Sequence, residues 1–286
     1  MSLIYPNIVP ENNFRLPDAL TVKHGPTKLL SRFVLEGDKA ARRAGLRLRL
    51  RHDFDALRRL NDFEVARGNW FRLVNLFNPE FCDLTPENSY WLSGENADGE
   101  IVATVAWRVF HWPNTSLYEE GPLLFYGRGK GRPCEFTPEA AKVAKMMAGI
   151  VLFGGSAWVR PDFRGRQLSH LLPRIGRAYG LARWPVDWGA TIAAPILVKK
   201  GVAAGYGYKH VVRSILFPDA PSGHPENALL YLSANEAYDD LANFLTTELL
   251  ASEAENIAFA SSPNFFDHIV TSSSSEGVFH GSSSRS

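Results

Sequence analysis

Apolar residues recur along this chain at two periods, one of strands and one of helices. From Leu46 to Arg51 leucine and arginine alternate strictly. Leu46, Leu48 and Leu50 therefore share one face of an extended strand, and Arg47, Arg49 and Arg51 form its wet face. His52-Asp-Phe-Asp-Ala-Leu then opens a helix, with Asp53 as its N-cap and Leu57, Leu60 and Val65 apolar at near-helical spacing. Two strand-like runs, residues 90–93 and 101–110, flank Asn96-Ala-Asp-Gly99, a turn sequence that predicts a hairpin.

The second half of the chain has a sharper signature. Ile150-Val-Leu-Phe and Ala157-Trp-Val predict a strand interrupted by Gly154-Gly155, a pair that suggests a bulge. Pro161 ends this strand because it has no N–H for the ladder. A basic turn, Arg164-Gly165-Arg166, leads into Leu168, Leu171, Leu172, Ile175 and Tyr179, one buried helical stripe that leaves Arg174 and Arg177 facing water. Pro173 lies in the same run, so this helix either starts late or kinks. Further on, residues 188–194 predict a strand, 196–204 a short helix ending at Gly205 and Gly207, 208–217 a strand and 228–232 a last strand.

Three segments fall outside this alternation: residues 1–44, with prolines and a short helical stretch near Lys39 to Arg43; residues 111–149; and the C-terminal part. The middle one contains Gly127-Arg-Gly-Lys-Gly-Arg132 and a helix opened by Thr137-Pro138-Glu139. Residues 235–269 predict a helical extension, and the serine-rich residues 270–286 lack core-forming capacity and predict disorder. One folded core over residues 45–234, carrying these additions, fits the element order better than two domains.

Composition narrows the function classes. With 45% hydrophobic residues and 7 Trp among 286 residues, core material is ample. A net charge of +1 gives no global field for nucleic acid, and alternation with leucine accounts for the arginine stripe at 47–51. The first ten residues lack a charged start followed by an apolar run, and no stretch is long and apolar enough for a membrane span. Cys82 and Cys134 are too few for a disulfide framework or a thiolate metal site, and the eight histidines form no helical pair. A cytoplasmic, reduced protein without metal is expected. Gly127-Arg-Gly-Lys-Gly-Arg132 lacks Walker spacing and fits a solvated loop better than an anion site. Ser156 has no Gly-x-Ser-x-Gly context for a hydrolase nucleophile.

The basic turn itself suits an anion, since guanidinium groups and a permissive glycine meet the unpaired N–H groups of a helix start. Val159-Arg-Pro-Asp-Phe-Arg-Gly-Arg-Gln-Leu-Ser resembles the acetyl-CoA loop of GNAT-type N-acetyltransferases, whose pattern Arg/Gln-x-x-Gly-x-Gly/Ala follows a strand. Arg164 matches its first position; Gln167 stands at the first glycine and Ser169 at the last small residue. The order of elements from about residue 45 to 233 is similar as well, with Gly207-Tyr208 where Gly-Phe is usual.

This resemblance implies an α/β (α+β) fold with a central mixed, mostly antiparallel sheet flanked by helices and splayed at the acyl-CoA site. It implies transfer of an acyl group, most often acetyl, from coenzyme A to a primary amine of a small molecule or protein; a CoA-binding or sensor module with little transferase activity is the alternative. Acyl-CoA and an amine acceptor would be the partners, without membrane or nucleic acid, and a homodimer is compatible with the family. Trp158 and Val159 would run along the pantetheine, while Arg164, Gly165, Arg166, Gln167, Leu168 and Ser169 would cradle the pyrophosphate. The family's late-helix tyrosine acid is replaced by Ala203, leaving Tyr206 as the nearest substitute and Tyr208 as a core aromatic. For the base, Asp83, Glu87, Glu119 and Glu135 are the candidates.

Overall fold

The computed structural model describes residues 14–126, 135–216 and 226–251. Contacts divide the chain into two units, 1–243 and 244–286; the described part of the second contains a π-helical stretch, Leu245–Leu250. The serine-rich tail, the loop at 127–132 and Cys134 lie outside the described residues, as does residue 252 onward of the expected C-terminal extension.

Among the described residues, nine strands form one sheet. They are β1 (Phe14–Arg15), β2 (Arg47–Arg51), β3 (Ser89–Glu95), β4 (Ile101–Trp112), β5 (Glu135–Phe136), β6 (Gly149–Val159), β7 (Trp188–Ala193), β8 (His210–Leu216) and β9 (Glu226–Ser233). Their order across the sheet is β1-β2-β3-β4-β6-β7-β9-β8-β5. Only β6 and β7 run parallel; every other neighbour pair is antiparallel. The mixed, mostly antiparallel sheet flanked by helices is the fold class that the sequence implied.

The helices are α1 (Thr27–Arg43), α2 (Phe54–Ala66), α3 (Leu117–Tyr126), α4 (Pro138–Met146), α5 (Leu168–Arg183), α6 (Pro195–Lys199) and α7 (Ala234–Phe244). On one face of the sheet, Phe54, Leu57 and Leu60 of α2 and Ala140, Val143 and Ala144 of α4 join Trp91, Phe153 and Trp158 in the main core. On the other, α5 packs on β4 and β6 with α1 beside it. Here small residues set the spacing: a Cβ at Gly176 would stand 2.0 Å from Trp107 Nε1, and one at Gly180 2.4 Å from Leu152. The Tyr90 hydroxyl uses this approach to donate to the Gly176 carbonyl at 2.7 Å.

Local expectations are met where residues act through near neighbours. Asp53 accepts from the Ala56 N–H at 3.0 Å and Thr137 caps α4 as its side chain accepts from Ala140. Gly99 sits at φ +82° in the hairpin turn between β3 and β4. Three expectations need correction. The N-terminal helical stretch is a full 17-residue helix, α1, because Leu30, Phe33, Val34 and Ala41 line a buried face. Arg51 is buried rather than wet, held by Glu95 at 2.6 Å from the neighbouring strand, and Arg49 pairs with the same carboxylate. Arg174 and Arg177 do not face water: they are 8% and 0% exposed, since α7 and the turn after α6 cover that side of α5. Pro173 lies inside α5, which begins at Leu168 and does not start late.

α7 starts on a reciprocal cap, Ser233-Ala-Asn-Glu236. The Ser233 Oγ accepts from the Glu236 N–H at 3.3 Å, and a Glu236 carboxylate oxygen accepts from the Ser233 N–H at 2.9 Å. That N–H first, then His210 and Lys209, holds the Glu236 carboxyl down at about 2. A carboxyl depressed on folding stabilises above its unfolded value and loses that contribution as pH falls through the folded one. Glu236→Gln is therefore expected to cost about 1 kcal/mol at neutral pH. The difference from the parent, followed by urea unfolding, should shrink as pH drops from 4.5 towards 2.

Candidate active site

The site begins where two strands part. β6 and β7 pair only from Val151↔Trp188 to Gly154↔Thr191; β6 runs on to Val159 with no strand partner on that side among the described residues, while β7 continues against β9. The cause sits in β6. Between the pairs Ala106↔Gly155 and Thr104↔Trp158, Ser156 and Ala157 together face Val105, a bulge with Ser156 at φ +52°. Two hydroxyls take up carbonyls at the break: Thr191 Oγ1 donates to Gly154 O at 2.8 Å and Thr104 Oγ1 to Ser156 O at 2.9 Å. The glycine pair thus marked the disturbance two residues early. Gly155 serves close packing, since a Cβ there would meet the Phe77 ring at 2.5 Å.

The gap holds two adjoining cavities. The larger, about 750 Å³, runs from the Trp158 and Val159 end of β6 past Arg164, Gly165, Gln167, Leu168 and Ser169 to Tyr206. The smaller, about 120 Å³, lies against Gly155, Ser156, Thr191 and Ala193 and shares Trp70, Phe71, Ala157, Leu197 and Tyr206 with its neighbour. No Asp or Glu is among the described residues lining either cavity.

Each residue of the basic loop has a distinct place. Arg160 is anchored by Glu100 at 2.8 Å and Asp162 at 2.7 Å, which fixes the short 3₁₀ turn Pro161–Phe163. Arg164 donates through Nε to Val159 O at 3.1 Å and through Nη2 to Asn69 O at 3.4 Å, so its guanidinium straps the loop to the end of β6. Arg166 points elsewhere: it donates to Ala44 O at 3.0 Å, at the end of α1, and covers the Phe163 ring. Gly165 at φ +79° and Gln167 at φ +56° turn the backbone so that α5 starts without a side-chain cap. Among the described residues, no acceptor meets the main-chain N–H groups from Gly165 to Ser169. Together with the N-terminal partial charge of α5, this run gives one end of the larger cavity a positive electrostatic character.

Trp158 turns its ring into the core, stacked on Trp70 at 5.0 Å with Nε1 donating to Asn69 O. Val159 offers its main chain to the gap side, where Arg164 holds the carbonyl. Tyr206 ends the 3₁₀ turn Ala203–Tyr206 and lines both cavities; burial raises its phenol, whose hydroxyl has no hydrogen-bond partner among the described residues. Tyr208 is a core residue, donating to Ala190 O under the Arg177 guanidinium. None of Asp83, Glu87, Glu119 and Glu135 lines a cavity; Glu119 is taken by Ser116. Sequence reasoning missed Trp70, Phe71, His170 and Lys200, which line the larger cavity from three separate segments. Among the described residues, no group of three or more His, Cys, Asp or Glu is placed to hold a metal ion, and no helix is long and apolar enough to cross a membrane.

No protein-family model matches the chain, and no curated protein matches it. Solved structures do resemble it. Against NAA60 of Arabidopsis thaliana in complex with acetyl-CoA, identity is 13% over 66% of this chain and 99% of that one, with a TM-score of 0.45. FeeM, an N-acyl amino acid synthase from uncultured soil microbes, gives 15% identity over 70% and 98%, TM-score 0.41. The GNAT domain of S. lividans PAT gives 19% over 66% and 90%, TM-score 0.35. Likenesses of this degree assign no activity.

A left-handed conformation costs an L-residue about 1–2 kcal/mol, part of which a glycine returns as unfolded-state entropy. Gln167→Gly is expected to raise stability by about 0.5 kcal/mol or more in urea unfolding, because nothing in the described structure caps through the glutamine side chain.

Proposed function

We propose that the chain is an acyl-CoA-dependent N-acyltransferase acting on a primary amine. One observation carries this reading: an uncapped helix start with a row of N–H groups unpaired among the described residues stands at one end of a cleft, and a strand edge that has no neighbour among those residues runs from it towards a half-buried tyrosine. A phosphate diester fits the first and an extended amide-bearing arm fits the second, by strand addition. Gly165, Gln167, Leu168 and Ser169 would hold the pyrophosphate through their N–H groups, with Arg164 supplying charge from Nη1. Arg166 would contribute its N–H, its side chain being engaged at α1. Trp158 and Val159 would meet the pantetheine through main-chain groups.

In the reaction the amine nitrogen attacks the thioester carbon, the C–S bond breaks, and the acyl group leaves on nitrogen. The amine gives up a proton to solvent, since the described cavity lining offers no carboxylate, and the departing sulfur gains one. Tyr206 would donate that proton: its phenol faces both cavities, and burial keeps it protonated well into the alkaline range. Acetyl is the acyl group we assign first.

Titration calorimetry with acetyl-CoA tests the donor site. Arg164→Ala should weaken binding about tenfold, some 1.4 kcal/mol. Unchanged affinity, or no binding by the parent at millimolar donor, removes the donor role. Thiol release measured with a short alkylamine, glycine, a polyamine and an unblocked peptide tests transfer. Tyr206→Phe should lower kcat on the order of a hundredfold with little change in donor affinity. Donor binding without release on any amine would instead support a CoA-binding module.

A further inference from the structure

The two arginines expected on the wet side of α5 are buried, and they converge on one acid. Arg174 grips Asp240 of α7 with two nitrogens, at 2.9 and 3.0 Å, and Arg177 reaches the same carboxylate at 2.5 Å. Their remaining donors do not point into bulk water. Arg174 Nη1 donates to Gly205 O at 2.6 Å; Arg177 donates to Tyr206 O at 3.3 Å and to Gly207 O at 3.1 Å. Three consecutive carbonyls, those of the turn that presents Tyr206, are thereby held from behind. Gly207 makes the approach feasible: at φ +75°, a Cβ there would stand 2.6 Å from Asp240 Oδ2 and 2.7 Å from Arg174 Cζ.

The arrangement is costly unless it has a use. Arg177 is fully buried and its Nε has no partner among the described residues, and two guanidiniums share a single carboxylate. Buried ion clusters of this kind are often replaceable by apolar side chains without loss of stability, so stability alone does not account for this one. What they fix here is a short 3₁₀ turn with two glycines around its tyrosine.

We infer that Asp240, on a helix outside the minimal strand-helix alternation, is a positioning residue: through Arg174 and Arg177 it locks the Gly205-Tyr206-Gly207 turn and so aims the Tyr206 phenol into the cleft. α7 is then a working part of the site. The catalytic consequence rests on the acyltransferase reading; the lock itself does not.

The full chain carrying Asp240→Asn tests this, with two readouts. The first needs no turnover. Ultraviolet titration of each protein minus its Tyr206→Phe counterpart isolates the one phenol, which should titrate higher in the parent and near the ordinary value of about 10 in Asp240→Asn. The second uses the amine turned over fastest in the thiol-release panel. Asp240→Asn should lower kcat at least tenfold while acetyl-CoA affinity stays within about twofold, and Asp240→Asn with Tyr206→Phe should be no slower than Tyr206→Phe alone. Asp240→Glu, which keeps the charge, should restore most of the loss.

A phenol titration identical in parent and Asp240→Asn, or losses that multiply in the double variant, overturns the inference. If Asp240→Asn does not fold, the uncharged Arg174→Met, Arg177→Met, Asp240→Ala variant removes the lock without stranding a charge, and the same phenol readout decides. Should the parent neither bind acetyl-CoA nor release thiol, the transferase reading fails while the titration still judges the lock.

Discussion

Everything about the cleft depends on the parting of two parallel strands. β6 and β7 stay hydrogen-bonded for four residue pairs and then separate. A sheet interior is normally closed, because each strand edge exposes N–H and C=O groups that need partners. Among the described residues that need is left open from Gly155 to Val159, nearly half of β6. The opening runs between the two packed faces of the molecule, so a ligand that enters it meets backbone on one side and core aromatics on the other. Thr104 and Thr191 make the opening affordable by satisfying carbonyls at its apex.

The two ends of the gap have different electrostatic characters. Towards α5 lie main-chain N–H groups and Arg164; towards the turn after α6 lies a phenol in an apolar setting. The gap is thus a graded environment, rich in donors at one end and apolar at the other. The distribution of charge also explains why a chain of nearly zero net charge can carry a strongly polar site: Arg160 is neutralised by Glu100 and Asp162, and Arg166 is spent on the end of α1.

How legible all this was in the sequence varied with the reach of the interactions. The order of the seven longer strands and of α2, α5 and α6 followed from periodicity, while β1, β5 and α3 were not foreseen; caps such as Asp53 and Thr137 followed from neighbours three residues apart. The basic loop was visible because its residues are contiguous. Arg174 and Arg177 were misjudged, since charged residues on the polar side of an amphipathic helix ordinarily face water; their partner lies 63 to 66 positions away on an element that the pattern did not tie to α5. Arg51 failed for the same reason, its carboxylate arriving from the next strand. Trp70 and Phe71 carried no local signal at all, because a loop aromatic over a cleft and one in solvent have the same sequence context.

The bulge at Ser156 and Ala157 has a consequence for how β6 can vary. Before it, Val151 and Phe153 send their side chains to the α2 side of the sheet; after it, Trp158 joins the same cluster although its number is of the opposite parity. The extra residue acts as a phase shifter in a two-residue rhythm. Regular pairing at unchanged length, with Ser156 opposite Val105 and Ala157 opposite Thr104, would turn Trp158 out of the core and carry the following loop out of phase with α5. Deleting Ser156 or Ala157 would instead take out the bulge and leave Trp158 opposite Thr104 on the core face, so the strand can lose its kink without losing its aromatic anchor.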